Sequence, residues 1–341
     1  MPVAYHQPVL VQEVCAALLP PLLAAEKPVL VDCTTGGAGH TAALLGGFLA
    51  HRAGLGPAEP PHPALPLRCL ALDRDPEALA FARGRLSPET GGEFSAVHVE
   101  LIHAPFARLA EVLDAAGIPS VTAILADLGV SSHQLDTAGR GFSFNADAPL
   151  DMRMDPGHGV PLAEALADLD VGALTRILRD FGEEPDAARI ARGIAAARPR
   201  TTRELGDVVR ASMSAPRLRQ IGLRVHPATR TFQALRIHIN GELEQLDRLL
   251  ATAPQRLAVG GRLGVISFHS LEDRRVKQAF AARARAERPP PGVPILAADL
   301  PRAPFAIPAE LRHGLTPGEA ELAANPRSRS SRLRVLERVL P

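Results

Sequence analysis

Apolar runs of strand length alternate with helical patterns along the first part of the chain. The runs cover residues 28–33, 68–73, 94–100 and 121–127. Such alternation is typical of a parallel sheet whose strands are connected by helices. Between the first two runs, residues 51–67 are rich in Pro and Gly and lack an apolar period, so we expect a long surface loop there. The pattern therefore predicts an α/β fold.

The alternation stops after Asp127 and returns towards the C-terminus. Residues 136–225 show only helical patterns, and Thr201 with Glu204 forms a capping box at the start of one predicted helix. A helix, a strand, a helix and a last strand at the sheet edge then follow, over residues 228–250, 261–268, 271–286 and 332–339. We therefore predict a discontinuous α/β domain of residues 1–135 and 226–341, interrupted by an all-helical domain of residues 136–225.

Composition narrows the class of protein. The chain has 341 residues and a net charge of only +1, so no overall basic field indicates nucleic acid. It has no uncharged apolar segment of about 18 residues and no basic, apolar leader, which predicts a cytoplasmic protein without a membrane partner. Cys15, Cys33 and Cys69 lie in or beside apolar runs without metal-ligand spacing, and the histidines match no such spacing either. We expect neither a disulfide framework nor a metal site.

The first predicted strand runs directly into a glycine-rich turn and then a helix. The turn reads TTGGAGH over residues 34–40. Glycines permit a tight turn and a close approach of the backbone to a ligand, while the helix N-terminus favours anionic groups. Gly37, Gly39 and Ala42 also satisfy G-x-G-x-x-A, so the turn alone suits NAD as well. A turn needed only for packing would collect glycines too.

Two acids follow the glycine turn at the ends of later strands. Asp73 ends the second strand, where a carboxylate accepts the ribose hydroxyls of a bound nucleoside. The alternative is that Asp73 or Asp75 caps the helix starting at Pro76, and both hold if Asp75 caps while Asp73 binds. Asp127 ends the fourth strand at the same carboxyl edge, where open sheets bind ligands.

These acids favour methyl transfer over hydride transfer. Hydride chemistry on NAD requires a proton donor and a cation that anchors the substrate, and the sequence offers no clear pair. Methyl transfer from an activated sulfonium mainly requires that a nucleophile be aligned with the methyl group. The order of glycine turn, Asp73 and Asp127 therefore predicts a site for S-adenosylmethionine.

Long strings along the whole chain resemble a known family. They are HQPVL at 6–10, GGAGH at 36–40, DLGVSSHQLD at 127–136, RGFSFNADAPLDMRMD at 140–155, HPATRTFQALRIHINGELE at 226–244, SFHSLEDRRVK at 267–277 and NPRSRSSRLRVLER at 325–338. In these strings the chain resembles the MraW/RsmH family from end to end and in order. The resemblance implies a class I (Rossmann-like) methyltransferase fold with a helical insert, acting on the N4 amine of a cytosine in the decoding region of 16S rRNA.

The resemblance also implies which residues contact the cofactor S-adenosyl-L-methionine. They are Ala38, Gly39, His40, Asp73, Phe106, Asp127 and Gln134. Ala38 departs from the family, which commonly has glycine at this position. A negative φ at Ala38 would preserve the backbone contacts, whereas a positive φ would cost about 1 kcal/mol or more and weaken the assignment.

The cysteines bear on the atom that is methylated. Methylation of a cytosine at C5 requires a cysteine thiolate, but all three cysteines lie in predicted buried runs. Direct attack by an exocyclic amine needs no cysteine, although its delocalised lone pair needs a hydrogen-bond acceptor. The candidates by position are Asp127, Ser131, Ser132, Asn145, Asp151 and His269. The sequence singles out none of them.

Arginine is unevenly distributed along the chain. Residues 189–236 contain 11 Arg against two acids, and residues 327–338 contain five Arg against Glu337. Such stretches suit RNA phosphates, whereas any one Arg can equally pair with a neighbouring acid. The aromatic residues placed to stack on bases are Phe142, Phe144, Phe232 and Phe268. We expect 16S rRNA in the small ribosomal subunit as the partner. The alternatives are a non-catalytic assembly factor with a ligand-sensing pocket and an NAD-dependent dehydrogenase.

Overall fold

The computed structural model describes residues 8–54, 67–86, 94, 97–222, 226–286 and 302–341. Contacts between Cα atoms divide the chain into two compact units. The first, here called the sheet unit, comprises Met1–Gly129 and Glu244–Pro341, and the second, the helical unit, comprises Val130–Leu243. The predicted insert, residues 136–225, lies inside the helical unit. Residues 51–54 of the loop predicted for residues 51–67 are helical instead, and residues 55–66 lie outside the described residues.

The sheet unit contains a seven-stranded sheet in the order β3-β2-β1-β4-β5-β7-β6. Strands β1 to β5 are parallel, whereas β7 is antiparallel to both β5 and β6. The strands are β1 (Val29–Asp32), β2 (Arg68–Asp73), β3 (His98–His103), β4 (Val121–Asp127), β5 (Leu257–Ser267), β6 (Phe305–Ala306) and β7 (Arg332–Arg338). The predicted α/β class is confirmed.

Three strands differ from the sequence prediction. Strand β3 begins at His98 because the Val97 N–H turns back to the Phe94 carbonyl, at 2.9 Å, instead of joining the sheet. Strand β5 begins earlier than predicted, at Leu257. Its pairing with β4 contains a register shift, and Gly260 in β5 has a φ of 80°. Strand β7 was predicted at the sheet edge, which is wrong, because β6 pairs with its outer side.

Helices cover both faces of the sheet. Successive residues of a strand point to opposite faces, so Leu30 packs into one apolar core and its neighbour Val31 into another. Three helices contribute to the first core: α1 (Val11–Ala24), α2 (Gly39–Gly54) and α3 (Pro76–Leu86). The second core lies under α4 (Leu109–Ala115), α12 (Glu242–Thr252) and α13 (Ser270–Arg283), and α14 (Glu319–Ala324) precedes the last strand.

The helical unit has its own apolar core. Its helices are α5 (Ser132–Asp136), α6 (Leu162–Asp168), α7 (Val171–Gly182), α8 (Ala187–Ala197), α9 (Thr202–Ser212), α10 (Ala215–Ile221) and α11 (Thr229–Asn240). Leu174, Ile177 and Leu178 form the buried face of α7, whereas Val171, at the same helical spacing, is exposed. The capping box of Thr201 and Glu204 opens α9.

The helix predicted over residues 228–250 is two helices. Gly241, with a φ of 59°, ends α11, and α12 starts at Glu242. A left-handed glycine commonly terminates a helix because it carries no Cβ. Consequently α11 belongs to the helical unit, beyond the predicted boundary at residue 225. No helix in the described part of the chain has the length and apolar character needed to cross a bilayer.

Candidate functional site

Three aspartates lie at the carboxyl ends of adjacent parallel strands in the sheet unit. Asp32 ends β1, Asp73 ends β2 and Asp127 ends β4, and β1 is hydrogen-bonded to the other two strands. The turn that follows β1 therefore lies between Asp73 and Asp127. This edge is where open α/β sheets bind their ligands.

Asp32 supports the glycine turn from inside. Its carboxylate accepts a 2.6 Å hydrogen bond from the Thr41 hydroxyl and a 3.1 Å hydrogen bond from the Thr34 N–H. The carboxylate is buried, and burial raises the pKa of Asp32 despite these donors. Asp32 thus joins the start of α2 to the strand end, and the turn gains a fixed shape.

Asp73 closes the glycine turn from the neighbouring strand. One carboxylate oxygen accepts from the Gly36 N–H and the other from the Asp75 N–H, each at 2.8 Å. Burial raises the pKa of Asp73 to about 6. The Asp75 carboxylate accepts from the Glu77 N–H at 3.0 Å, near the start of α3. Asp75 therefore caps this helix, while Asp73 keeps lone pairs for a ligand.

Ala38 adopts the left-handed conformation that the family's glycine would accept more readily. Its φ is 58°, and its methyl group is fully buried. The Ala38 N–H donates to the Thr35 carbonyl at 2.7 Å, and its own carbonyl accepts from the Ala42 N–H at 3.0 Å. For an L-residue this conformation costs about 1–2 kcal/mol. This positive φ is the outcome that weakens the assignment of the turn to the cofactor, because it adds local strain.

Asp127 carries a buried oxygen that nothing in the described structure satisfies. Its Oδ1 has no hydrogen-bond partner among the described residues, and Oδ2 lies 3.6 Å from Nδ1 of His40. Burial raises the pKa of Asp127 to about 7, with His40 opposing the shift and Asp32 and Glu272 adding to it. An unsatisfied buried acceptor at a ligand-binding edge indicates a missing donor.

Two further predicted residues lie in the sheet unit. Phe106 is half-buried in a short turn of helix that follows β3. His269 follows β5, the strand beside β4, and its Nε2 lies 3.2 Å from the buried Glu272 carboxylate. Sequence reasoning missed Glu272, whose Oε2 also accepts from the Phe268 N–H at 2.8 Å. In a capping box, Glu or Gln follows the first residue of the motif by three positions, so the position of Glu272 after His269 was the signal in the sequence.

The remaining candidates lie in the helical unit, where most have structural contacts. Ser131 and Gln134 form a capping box at the start of α5, which also contains the half-buried Ser132. Asn145 is exposed. Although burial opposes it, hydrogen bonds and charge from Arg153 hold the pKa of Asp151 below its ordinary value. With Arg153 Nε at 2.8 Å, Asp151 is committed to an ion pair.

The arginines divide into paired and exposed groups. Arg217 and Arg236 form ion pairs with Glu184 and Glu242, and others bind carbonyl groups or, like Arg203, approach an acid. Within residues 189–236, five arginines are exposed and have neither an ion pair nor a side-chain hydrogen bond among the described residues. We call this set the arginine face: Arg192, Arg198, Arg200, Arg210 and Arg219.

The C-terminal arginines and the aromatic residues are mainly structural. Arg334 pairs with Asp273 at 2.7 Å, and Arg338 donates to the Leu257 carbonyl at 2.8 Å. Phe142 and Phe232 are buried in the core of the helical unit, and Phe144 stacks on His226 with 4.1 Å between ring centroids. Among the described residues, no group of three or more His, Cys, Asp or Glu side chains is arranged to hold a metal ion.

Comparison with known proteins gives one consistent family. The model of the MraW methylase family matches residues 3–339. A protein of Azoarcus sp. (strain BH72) named "Ribosomal RNA small subunit methyltransferase H" is 45% identical over 98% of this chain and 96% of its own. Proteins with the same name from Thiobacillus denitrificans and Frankia casuarinae are 44% and 46% identical, over 98% and 95% of this chain and 97% and 94% of their own.

Proposed function

Because the chain belongs to the MraW methylase family, we propose that it transfers the methyl group of S-adenosylmethionine to the N4 amine of a cytosine in 16S rRNA of the small ribosomal subunit. The names of its relatives support ribosomal RNA as the substrate class. The observation that carries the proposal is the unsatisfied Oδ1 of Asp127 at the carboxyl edge of the sheet. Such a substrate places the reaction in the cytoplasm.

The residues of this edge fit S-adenosylmethionine. Asp73 uses two of its roughly four lone-pair sites on backbone N–H groups, which leaves acceptors for two ribose hydroxyls. We assign contacts with the cofactor to the backbone of the turn at Ala38, Gly39 and His40, and to Asp73, Phe106, Asp127 and Gln134. When bound, the cofactor supplies a methyl group already activated by its positive sulfur.

Asp127 is our first choice for the group that accepts the amine proton. An exocyclic amine loses a proton when it is methylated, so a nearby base with a pKa close to neutral is most useful. The pKa of Asp127 is about 7, and its Oδ1 accepts no hydrogen bond from the described residues. Asp151 and Ser131 already have structural contacts, as described above. Ser132, Asn145 and His269 remain further candidates.

Direct attack fits the state of the cysteines. Cys33 and Cys69 are buried, and burial raises the pKa of both thiols far above the ordinary value. Cys15 is half-buried on α1, and burial raises the pKa of its thiol as well. A thiolate that adds to the cytosine ring must be accessible and ionised. None of the three meets both conditions, so we propose transfer without a covalent cysteine intermediate.

The arginine face supports RNA as the partner. Residues 186–222 carry eight Arg and only three acids, so the exposed surface of α8, α9 and α10 is locally basic although the whole chain is nearly neutral. Arg side chains without acidic partners can exchange condensed counterions for RNA phosphates. We propose that the helical unit uses this face to bind 16S rRNA.

One assay tests the reaction directly. The purified protein is incubated with methyl-labelled S-adenosylmethionine and small subunits that lack the modification, and the rRNA is digested to nucleosides. We expect label in N4-methylcytidine and none in 5-methylcytidine. Binding of both ligands without transfer at every assembly stage would indicate a non-catalytic assembly factor. Binding of NAD in place of S-adenosylmethionine, measured by calorimetry, would indicate a dehydrogenase.

A further inference from the structure

The N-terminal segment Pro8–Leu10 packs onto the glycine turn, and the proposed reaction gives it no role. Pro8 fills the space beside Gly39, because a Cβ atom added to Gly39 would lie 2.8 Å from Pro8 Cγ. The Val9 carbonyl lies 2.7 Å from Nε2 of His40. The Leu10 N–H donates at 2.8 Å to the Glu321 carboxylate on α14, which anchors the segment from its other side.

The contact with Val9 determines how the His40 ring presents itself to Asp127. A carbonyl oxygen only accepts hydrogen bonds, so Nε2 of His40 carries a hydrogen. Nδ1 is therefore the nitrogen that faces Oδ2 of Asp127, at 3.6 Å. The ring therefore occupies the Oδ2 side of the carboxylate. Oδ1 is then the oxygen left for a ligand.

We propose that His40 is a positioning residue for Asp127, and that the segment Pro8–Leu10 holds its ring with Nδ1 towards the carboxylate. The proposal rests on the proposed function, in which Asp127 serves the bound cofactor and the amine. It also gives a role to the N-terminal HQPVL string, whose last three residues make these contacts. A change that turned the His40 ring, or removed its contact with Val9, would alter the surroundings of the Asp127 carboxylate without contacting Asp127 itself.

The charges around Asp127 make this role measurable. Asp32 on β1 and Glu272 on α13 both favour the protonated form of Asp127, and His40 on α2 is the group that opposes them. Removing the imidazole therefore raises the pKa of Asp127. A residue with only a packing role would leave the pH dependence of ligand binding unchanged.

Two substitutions of His40 separate its two contacts. His40→Gln keeps a donor near the position of Nε2 for the Val9 carbonyl and removes the group facing Asp127. His40→Asn keeps a polar group near the position of Nδ1 and removes the contact with Val9. The dissociation constant for S-adenosylmethionine is measured by calorimetry across the neutral pH range, for the wild type, both variants and Asp127→Asn.

For His40→Gln we expect about two- to tenfold weaker binding at neutral pH and a midpoint of the pH profile shifted upward. His40→Asn should shift the midpoint less. In the Asp127→Asn background, His40→Gln should have no further effect on the midpoint, because the titrating group that His40 faces is gone and only Asp73 remains. Uniform weakening at every pH, with an unmoved midpoint, would overturn the proposal. Failure of the wild type to bind the cofactor at all would instead contradict the proposed function.

The segment is tested through Glu321, which anchors it from outside the site. Glu321→Ala removes the acceptor of the Leu10 N–H, Glu321→Gln keeps an acceptor oxygen, and Glu319→Ala makes the matched change at an exposed position of the same helix. Nitrogen NMR of the imidazoles, with the His40 signals assigned from the His40→Gln spectrum, reports which ring nitrogen is protonated. We expect Glu321→Ala to broaden or shift the His40 signals and the other two variants to leave them in place. Identical His40 spectra in all three would refute the role of the segment.

Discussion

Replacing Asp73 tests the cofactor assignment most directly. Both carboxylate oxygens already accept a backbone N–H at 2.8 Å, so one lone-pair site on each remains for a ribose hydroxyl. Asp73→Asn turns one oxygen into an NH2 group, which accepts neither a ribose hydroxyl nor the backbone N–H that this oxygen held. Losing one hydrogen bond to a charged acceptor costs about 1.5–3 kcal/mol, which is roughly a 10- to 150-fold loss of affinity for S-adenosylmethionine.

Asp73→Ala should weaken cofactor binding further, because it removes both oxygens, so the Gly36 and Asp75 N–H groups both lose their acceptor and the turn loosens. Asp75→Asn is the matched control: Asn caps helices as well as Asp does, so cofactor affinity should stay near that of the wild type. Affinities for the cofactor and for an rRNA fragment are measured separately, and thermal unfolding without ligand verifies the fold. Wild-type cofactor affinity in Asp73→Asn, or an equal loss of RNA affinity, would refute the reasoning.

Further predictions concern the pH dependence, the glycine turn, the arginines and the cysteines. Cofactor affinity should fall as the pH is lowered through about 7 and about 6, where Asp127 and Asp73 take up protons. The free energy of unfolding without ligand should change in the opposite sense. Acids whose pKa is raised by folding stabilise the fold below their ordinary pKa, and this contribution is lost as the pH rises to the raised pKa. Denaturant unfolding at pH values from the ordinary pKa up to about 7 tests the sign. Gly39→Ala should destabilise the sheet unit by about 1–3 kcal/mol in the same measurement, since its Cβ would meet the rigid Pro8 ring, and unchanged stability would contradict that contact. Reversing the charge of the arginine face should weaken RNA binding and leave cofactor affinity unchanged. The slope of log affinity against log salt concentration should become shallower by about 0.7–0.9 for each lost phosphate contact. The control Arg179→Glu, at an arginine paired with Asp180, should leave RNA binding unchanged. Replacing each cysteine in turn with alanine should leave methyl transfer intact, and loss of transfer in a folded variant would indicate a thiolate mechanism.

The local pattern of the chain was sufficient for most of the architecture. Alternating apolar runs predicted the parallel strands, and a capping box marked the start of α9. Strand ends were less predictable: whether Phe94 or His98 opens β3, and whether β7 lies at the edge, depends on pairing with other strands. The break at Gly241 was missed because the apolar period continues on both sides of it. A glycine ends a helix only when the surroundings favour a left-handed residue.

For the candidate site, local residue types were enough to predict the chemistry, namely a glycine turn followed by acids at the ends of two strands, because such residues mark strand ends and turns. How each side chain is used follows from the folded structure. It commits Asp151 to Arg153, assigns capping to Asp75, leaves Oδ1 of Asp127 unsatisfied and brings Val9 to His40. It also places Ala38 at a positive φ. These outcomes depend on burial and on partners distant in the chain, and both arise only when the strands and helices pack together.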